Sequence, residues 1–295
     1  MGVNGRSRYP SELAALLTAP PDEPDDDTDE PWCYRPSEVD MDEPSVARVY
    51  DAYLGGAANT QADRLFAGRI EAILPDVQQL AIANRRFLAR GVRYALSQGI
   101  GQVIDIGAGV PSIWQTHHVA SALVPAAHVV YVDHEAVAYE ALRAATVSDP
   151  HLGAVRADLR DAEAVLYDPV TTELIDYAQP VVLVMGLLLH FIPDEDDPAA
   201  LLSRYRQAVA PGSYFVISHD TADGREFAMA EIAALYADMG RPLVLRTWAE
   251  LAGLFDGFEL VDPGVVHMPL WRPDDDDPVF DQPKRSCVYA VVAKT

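Results

Sequence analysis

Cysteine, lysine and long apolar runs are all scarce in this chain of 295 residues. The two cysteines, Cys33 and Cys287, lie far apart with no partners at metal-ligand spacing. That argues against a disulfide scaffold and for free thiols in a reducing compartment. Two lysines, Lys284 and Lys294, stand beside many arginines, and together the basic residues number 22 against 45 acids. A net charge of −23 argues against duplex nucleic acid as a partner, because phosphate binding needs clustered Lys and Arg. No apolar run reaches the roughly 18–20 residues of a membrane span. Residues 13–19 weakly imitate a signal peptide, but Glu12 abuts them, and Arg6 stands where myristoylation requires Ser or Thr. A cytoplasmic protein with neither a membrane nor a nucleic acid as partner is expected.

What is abundant at the start is acid. Residues 1–43 form a Pro-rich extension in which 22–30 are almost continuously acidic. Such a segment buries too little apolar surface to offset its ordering entropy, so it reads as mostly disordered, with one short helix from Ser11. Helices follow at 45–54, 62–74 and 81–97; Gly55-Gly56 breaks the first and Pro75 ends the second. On the third, Arg85, Arg86, Arg90 and Arg93 read as a solvated face opposite Phe87, Leu88 and Val92. Strands at 102–106, 128–133, 153–157, 181–186 and 213–218 then alternate with helices at 112–124, 135–146, 161–177 (broken at Pro169) and 198–209. The strands are near-continuous apolar runs, as Val181-Val182-Leu183-Val184-Met185 shows, which suits a parallel sheet covered on both faces. Helices near 225–238 and 248–255 precede strands near 258–262 and 287–293. Asp274 to Asp277 read as a solvated acidic loop.

The stretch Val103-Ile104-Asp105-Ile106-Gly107-Ala108-Gly109 carries the chemistry. An apolar strand runs into two glycines one residue apart, which allow a sharp turn and close approach of a ligand. With a helix expected to open at Ser112, this is the nucleotide-binding corner of a doubly wound sheet. The next strand ends at Asp133, 24 residues beyond Gly109, where an acid can reach a ribose hydroxyl. Ser112 replaces the third glycine of a dinucleotide fingerprint, and Asp105 precedes the turn, able to accept from an ammonium-bearing ligand. Both details favour S-adenosylmethionine over NAD. No metal site is expected, because the adjacent His117 and His118 cannot share one helix face.

Several blocks, in one order, resemble a known family. They are Pro44-Ser45-Val46-Ala47-Arg48-Val49-Tyr50-Asp51 with Leu54-Gly55-Gly56, Asn59, Asp63 and Arg64; Ala83-Asn84-Arg85 with Phe87-Leu88; the glycine turn with Pro111; Val130-Tyr131-Val132-Asp133; Ala157-Asp158-Leu159-Arg160-Asp161; Leu189-His190-Phe191-Ile192-Pro193-Asp194; and Pro211-Gly212-Ser213-Tyr214 through Ser218-His219. The chain resembles bacterial class I S-adenosylmethionine-dependent methyltransferases with an N-terminal helical cap, most of unassigned substrate. It departs from them at His134-Glu135-Ala136, Gln115 and His118. The resemblance implies an α/β, Rossmann-like class I methyltransferase fold with helices on both faces of a seven-stranded, mostly parallel sheet. Its strand order would be 3-2-1-4-5-7-6, with the last strand antiparallel. It also implies a cap over 44–98 and a cofactor-binding domain over 99–295.

In that frame Gly107 and Gly109 approach the cofactor, Asp105 lies near its amino group, and Asp133 holds the ribose diol. Asp158 meets the adenine amino group, or else caps the following helix, and Leu159 packs on the ring. Tyr50, Tyr53, Asn59, Asn84, Arg85 and Trp271 are candidates for the acceptor site or lid. His190 and His219, after neighbouring strands, are candidates for a general base. The end of the fourth strand, Met185-Gly186-Leu187-Leu188, lacks the acid or amide followed by two prolines and an aromatic that resembles the signature of planar-nitrogen methylation. A small organic acceptor is therefore expected. The alternative readings are a non-catalytic S-adenosylmethionine-binding or regulatory protein and a nicotinamide oxidoreductase. The oligomeric state is not legible.

Overall fold

A computed structural model describes residues 40–295. The acidic extension, apart from its last few residues, and the helix expected from Ser11 lie outside the described residues. Three helices come first: α1 (Val46–Tyr53), α2 (Gln61–Ile73) and α3 (Val77–Leu96). Ser45 caps α1, and at α2 Thr60 and Asp63 form a reciprocal capping box, so two otherwise orphaned N–H groups find acceptors.

The sheet follows. Its strands are β1 (Gln102–Ile106), β2 (His128–Asp133), β3 (Leu152–Arg156), β4 (Val182–Gly186), β5 (Tyr214–Asp220), β6 (Glu259–Leu260), β7 (Val266–His267) and β8 (Val288–Lys294). Their order is β3-β2-β1-β4-β5-β8-β6, with the two-residue β7 also paired to β8. β1 to β5 are mutually parallel and β8 runs antiparallel to β5, so the expected topology is present with one short strand added. The intervening helices are α4 (Thr116–Ser121), α5 (Ala136–Thr146), α6 (Ala162–Leu166), α7 (Pro169–Leu174), α8 (Pro198–Ala208), α9 (Glu226–Asp238) and α10 (Trp248–Gly253). The break between α6 and α7 falls at Asp168-Pro169, where the aspartate caps and proline takes the first helical position. None of the described helices is long and apolar enough to cross a membrane.

Alternation along the strands feeds two cores. Ile104, Ile106, Val130, Val132, Leu183, Met185, Phe215 and Ile217 face one side. Val103, Val129, Tyr131, Val182, Val184 and Val216 face the other, where α3 lies with Phe87 and Val92. A third cluster joins Val49, Tyr53, Phe66, Ile70, Leu74, Val77 and Leu80 of the first three helices and their connections to Met229 and Ile232 of α9.

Two expectations are corrected. The helix after the glycine turn does not open at Ser112: residues 111–115 form a loop in which Trp114 takes φ +49°, and α4 starts only at Thr116. Nor is the arginine face of α3 solvated, or the acidic loop free. Arg85, Arg90 and Arg93 are buried. Arg90 pairs with Asp277 and donates to the Trp271 carbonyl at 3.1 Å, Arg93 pairs with Asp274, and Arg86 pairs with Asp276 and Asp277. The loop folds back over the helix as the arginines' counter-charge. Asp274, Asp276 and Asp277 sit close enough together to surround a cation, but the guanidinium groups already neutralise them.

Breaking a buried ion pair strands a charge, at a cost of about 3 kcal/mol. Asp277→Ala is accordingly expected to lower unfolding stability by about that much in urea titration. A loss below about 0.5 kcal/mol, as for a surface pair, would contradict this packing.

Candidate functional site

The carboxyl ends of β1 to β5 meet the undersides of α1 and α3 around a cavity of about 400 Å³, within the range of small-molecule sites. Its floor at one end is the glycine turn. Gly107 and Gly109 take φ of +69° and +70°, a region that favours glycine. The Gly107 and Ala108 N–H groups donate to the Val132 carbonyl at 2.8 and 3.1 Å, tying the turn to β2. Asp133 completes the brace: its carboxylate accepts from the Gly109 N–H at 2.8 Å and from the Glu135 N–H at 2.9 Å. Burial pushes this carboxyl up to about 6 against the pull of those two bonds. Each oxygen keeps a lone pair for a ligand hydroxyl. Glu135, on the same wall, accepts from Ser45 Oγ at the cap of α1.

Asp158 and Leu159 close this end. Asp158 does not cap α6; Asp161 does, through the Ala164 N–H. Asp158 instead accepts from Arg160 Nη2 at 2.6 Å and Nε at 3.0 Å, and these bonds hold its carboxyl below the usual range. Leu159 is buried at the wall, its carbonyl accepting from Tyr205 Oη at 2.8 Å. Asp105 does not reach the cavity surface: it lies one layer behind, accepting from Thr116 Oγ1 at 2.5 Å, and burial raises its carboxyl.

The other end is apolar and aromatic. Tyr53, Ile70, Leu74, Val77, Leu80, Phe191, Met229, Ile232 and Tyr236 line it. Between the two ends stand Tyr50, Asn84, Arg85, His190 and Asp220. Tyr50 Oη donates to the Ala81 carbonyl and accepts from Asn84 Nδ2 at 2.9 Å. Asn84 Oδ1, buried, has no hydrogen-bond partner among the described residues. Arg85 is anchored on the carbonyls of Ile113 and Trp114. The wall at Leu187 is strained: φ is +50°, held by bonds from its N–H to the Ser218 carbonyl and hydroxyl.

His190 Nδ1 accepts from the Asp220 N–H at 3.3 Å and lies 3.4 Å from Asp220 Oδ2. Burial, then His219 and Arg246, lower its pKa far below the ordinary value, so the ring is neutral with its proton on Nε2. His219 is wholly buried behind the wall, between the Asp220 carbonyl and Arg246, whose guanidinium holds the carbonyls of Leu189 and Ile192. Asn59 is likewise off the wall, bonded to Asp51, and Trp271 is enclosed against Phe87 and Tyr94. Neither His117 nor His118 reaches the cavity.

Sequence reading missed Asp220, the carboxyl on this middle wall. The signal was present: it ends β5 as Asp133 ends β2, but the strand was expected to stop at residue 218. Burial alone pushes its carboxyl up to about 7. Between about pH 4 and 7 the folded chain holds a proton there that the unfolded chain has released, so stability falls as pH rises. The stability gained on Asp220→Asn should therefore be about 3 kcal/mol greater at pH 8 than at pH 5, read by urea unfolding at both. An equal gain at the two pH values would contradict the burial of this acid.

Comparison with known proteins agrees with the geometry. A family model described as S-adenosyl methyltransferase matches residues 33–295. A solved structure of a DUF574 family protein from Streptomyces avermitilis is 31% identical, with a TM-score of 0.83, covering 87% of this chain and 99% of its own. A candidate methyltransferase from Thermobifida fusca is 35% identical, with a TM-score of 0.82, covering 89% of this chain and 99% of its own. No curated protein matches.

Proposed function

The chain belongs to the S-adenosyl methyltransferase family, and we propose that it transfers a methyl group in line to a small organic acceptor held in the apolar half of this cavity. S-adenosylmethionine is the cofactor, and when bound it supplies an electrophilic methyl group on a sulfonium. The observation that carries the reading is the continuity of one cavity from the glycine turn to the aromatic chamber.

The residues at the turn fit a nucleoside. A side chain at Gly109 would meet only Ala47, at 3.9 Å, so the backbone there lies open to a ligand edge. Asp133 is assigned the ribose diol, Asp158 the adenine amino group, and Leu159 the ring face. Gly107 and Gly109 are assigned the close backbone approach. Asp105 is assigned an indirect part, fixing Thr116 and the loop that carries the carbonyl partners of Arg85. Helices α1 and α3 close over the site, so we divide the chain into a cap over 44–98 and a cofactor-binding domain over 99–295. Their part in the reaction is alignment and exclusion of water, which suits a displacement in which charge is neutralised along the path. His190, neutral, lines the cavity beside Asp220 and is assigned to the acceptor side; His219 serves only to position Arg246 and the 189–192 segment.

Calorimetric titration tests the assignment. Wild type should bind S-adenosylmethionine, and Asp133→Ala and Gly109→Val should each weaken it by about tenfold or more. Incubation with methyl-labelled cofactor and a small-molecule extract should then move label to an acceptor. Unchanged affinity in both variants would overturn the residue assignment, and tight binding with no transfer would favour a non-catalytic binding protein.

A further inference from the structure

We infer that the apolar half of the cavity takes its acceptor as an alkyl- or arylalkyl-ammonium ion, the Asp220 carboxylate pairing with its nitrogen and the rings of Tyr50, Tyr53, Phe191 and Tyr236 facing its charge. This rests on the methyl-transfer reading and narrows its acceptor.

Asp220 is an acid with which, among the described residues, no lysine or arginine pairs, although Arg85 stands on the same wall. Among the described residues its single ion-pair neighbour is His190, and the Nδ1 that faces it already accepts the Asp220 N–H. The other ionisable groups near it are Tyr50 and Tyr53 from α1, Tyr236 from α9 and Cys287 ahead of β8. Burial raises all four, the thiol to about 12, so all are neutral at physiological pH. Arg85 is turned to the carbonyls of Ile113 and Trp114. A carboxylate so placed gains most from a cation that arrives with the ligand.

The rings point the same way. Phe191 packs edge-on against Tyr236 at 6.0 Å and against His190 at 4.4 Å, so aromatic surface stands beside the acid. Aromatic faces attract a desolvated cation. Asn84 Oδ1 offers a second acceptor without a partner. An ammonium carries donors and no acceptor, which matches both groups; a phenolate or carboxylate would be repelled by Asp220, and an alcohol would gain one hydrogen bond.

The same carboxylate serves the transfer. One N–H proton passes from the ammonium to Asp220, freeing the nitrogen lone pair. That pair forms the new N–CH3 bond as the C–S bond breaks and its electrons go to sulfur, leaving S-adenosylhomocysteine and an N-methylammonium. A carboxyl raised towards neutrality by burial is a better proton acceptor than an exposed one.

The test uses the full chain saturated with S-adenosylhomocysteine at pH 8, titrated with 2-phenylethylamine, 2-phenylethanol and 3-phenylpropanoate. Wild type should prefer the amine over the alcohol by about tenfold or more, and Asp220→Asn should reduce that preference to about twofold. Nucleoside affinity in the variant should stay within about threefold of wild type, which certifies its fold. Phe191→Leu, which leaves the carboxylate in place, should weaken the amine by about threefold more than the alcohol. Equal or tighter binding of the alcohol or acid, no binding of the amine, or a preference that survives Asp220→Asn would each overturn the inference. Failure of wild type to bind the nucleoside would instead overturn the methyl-transfer reading beneath it.

Discussion

Everything at the glycine-turn end of the cavity depends on one carboxylate. Asp133 closes β2 and, through the Gly109 and Glu135 N–H groups, fixes the turn that closes β1. Without those bonds the two positive-φ glycines would have backbone freedom but no defined shape, since glycine permits a left-handed turn and does not impose one. The parallel register of β1 on β2, Asp105 beside Tyr131 and Ile106 beside Val132, brings the acid to the turn. Fold and site are coupled at this point: the register that buries both faces of the sheet also delivers a carboxylate to the cavity wall.

The middle of the cavity is built on the opposite principle. Asp133 is buried and braced by two backbone donors, whereas Asp220 is half-buried among phenols, a thiol and a neutral imidazole. Strain at Leu187 adds to the cost of this wall. Such groups oppose folding and are concentrated where chemistry is done; the stability they remove is supplied by the two fully buried faces of the central strands.

How much of this was legible follows the range of the interactions. β1 and β2 were read to the residue, because strands buried on both faces are continuous apolar runs. The strand order was legible through family resemblance rather than periodicity. The start of α4 was misread because Ser112 is a good cap by type, while the loop through Pro111 and Trp114 is set by tertiary contacts, among them Arg85 reaching the Ile113 and Trp114 carbonyls from α3. The arginines of α3 were misread for a similar reason: their carboxylates lie more than 180 residues away in sequence, and a charged stripe is indistinguishable from a solvated face until the partner loop is placed. Asp220 was missed because the last turn of β5 is strand only by virtue of pairing with β8, at Asp220 and Val288. His219 and Trp271 have the residue types of a site, and only packing shows that they stand behind the wall.

The most direct measurement of the central claim is a crystal structure of the full chain with S-adenosylhomocysteine. The account predicts a ribose on Asp133, an adenine ring against Leu159, and a sulfur that faces the chamber between Leu187 and Asp220. A nucleoside seated elsewhere, or one whose sulfur faces away from that chamber, would contradict it.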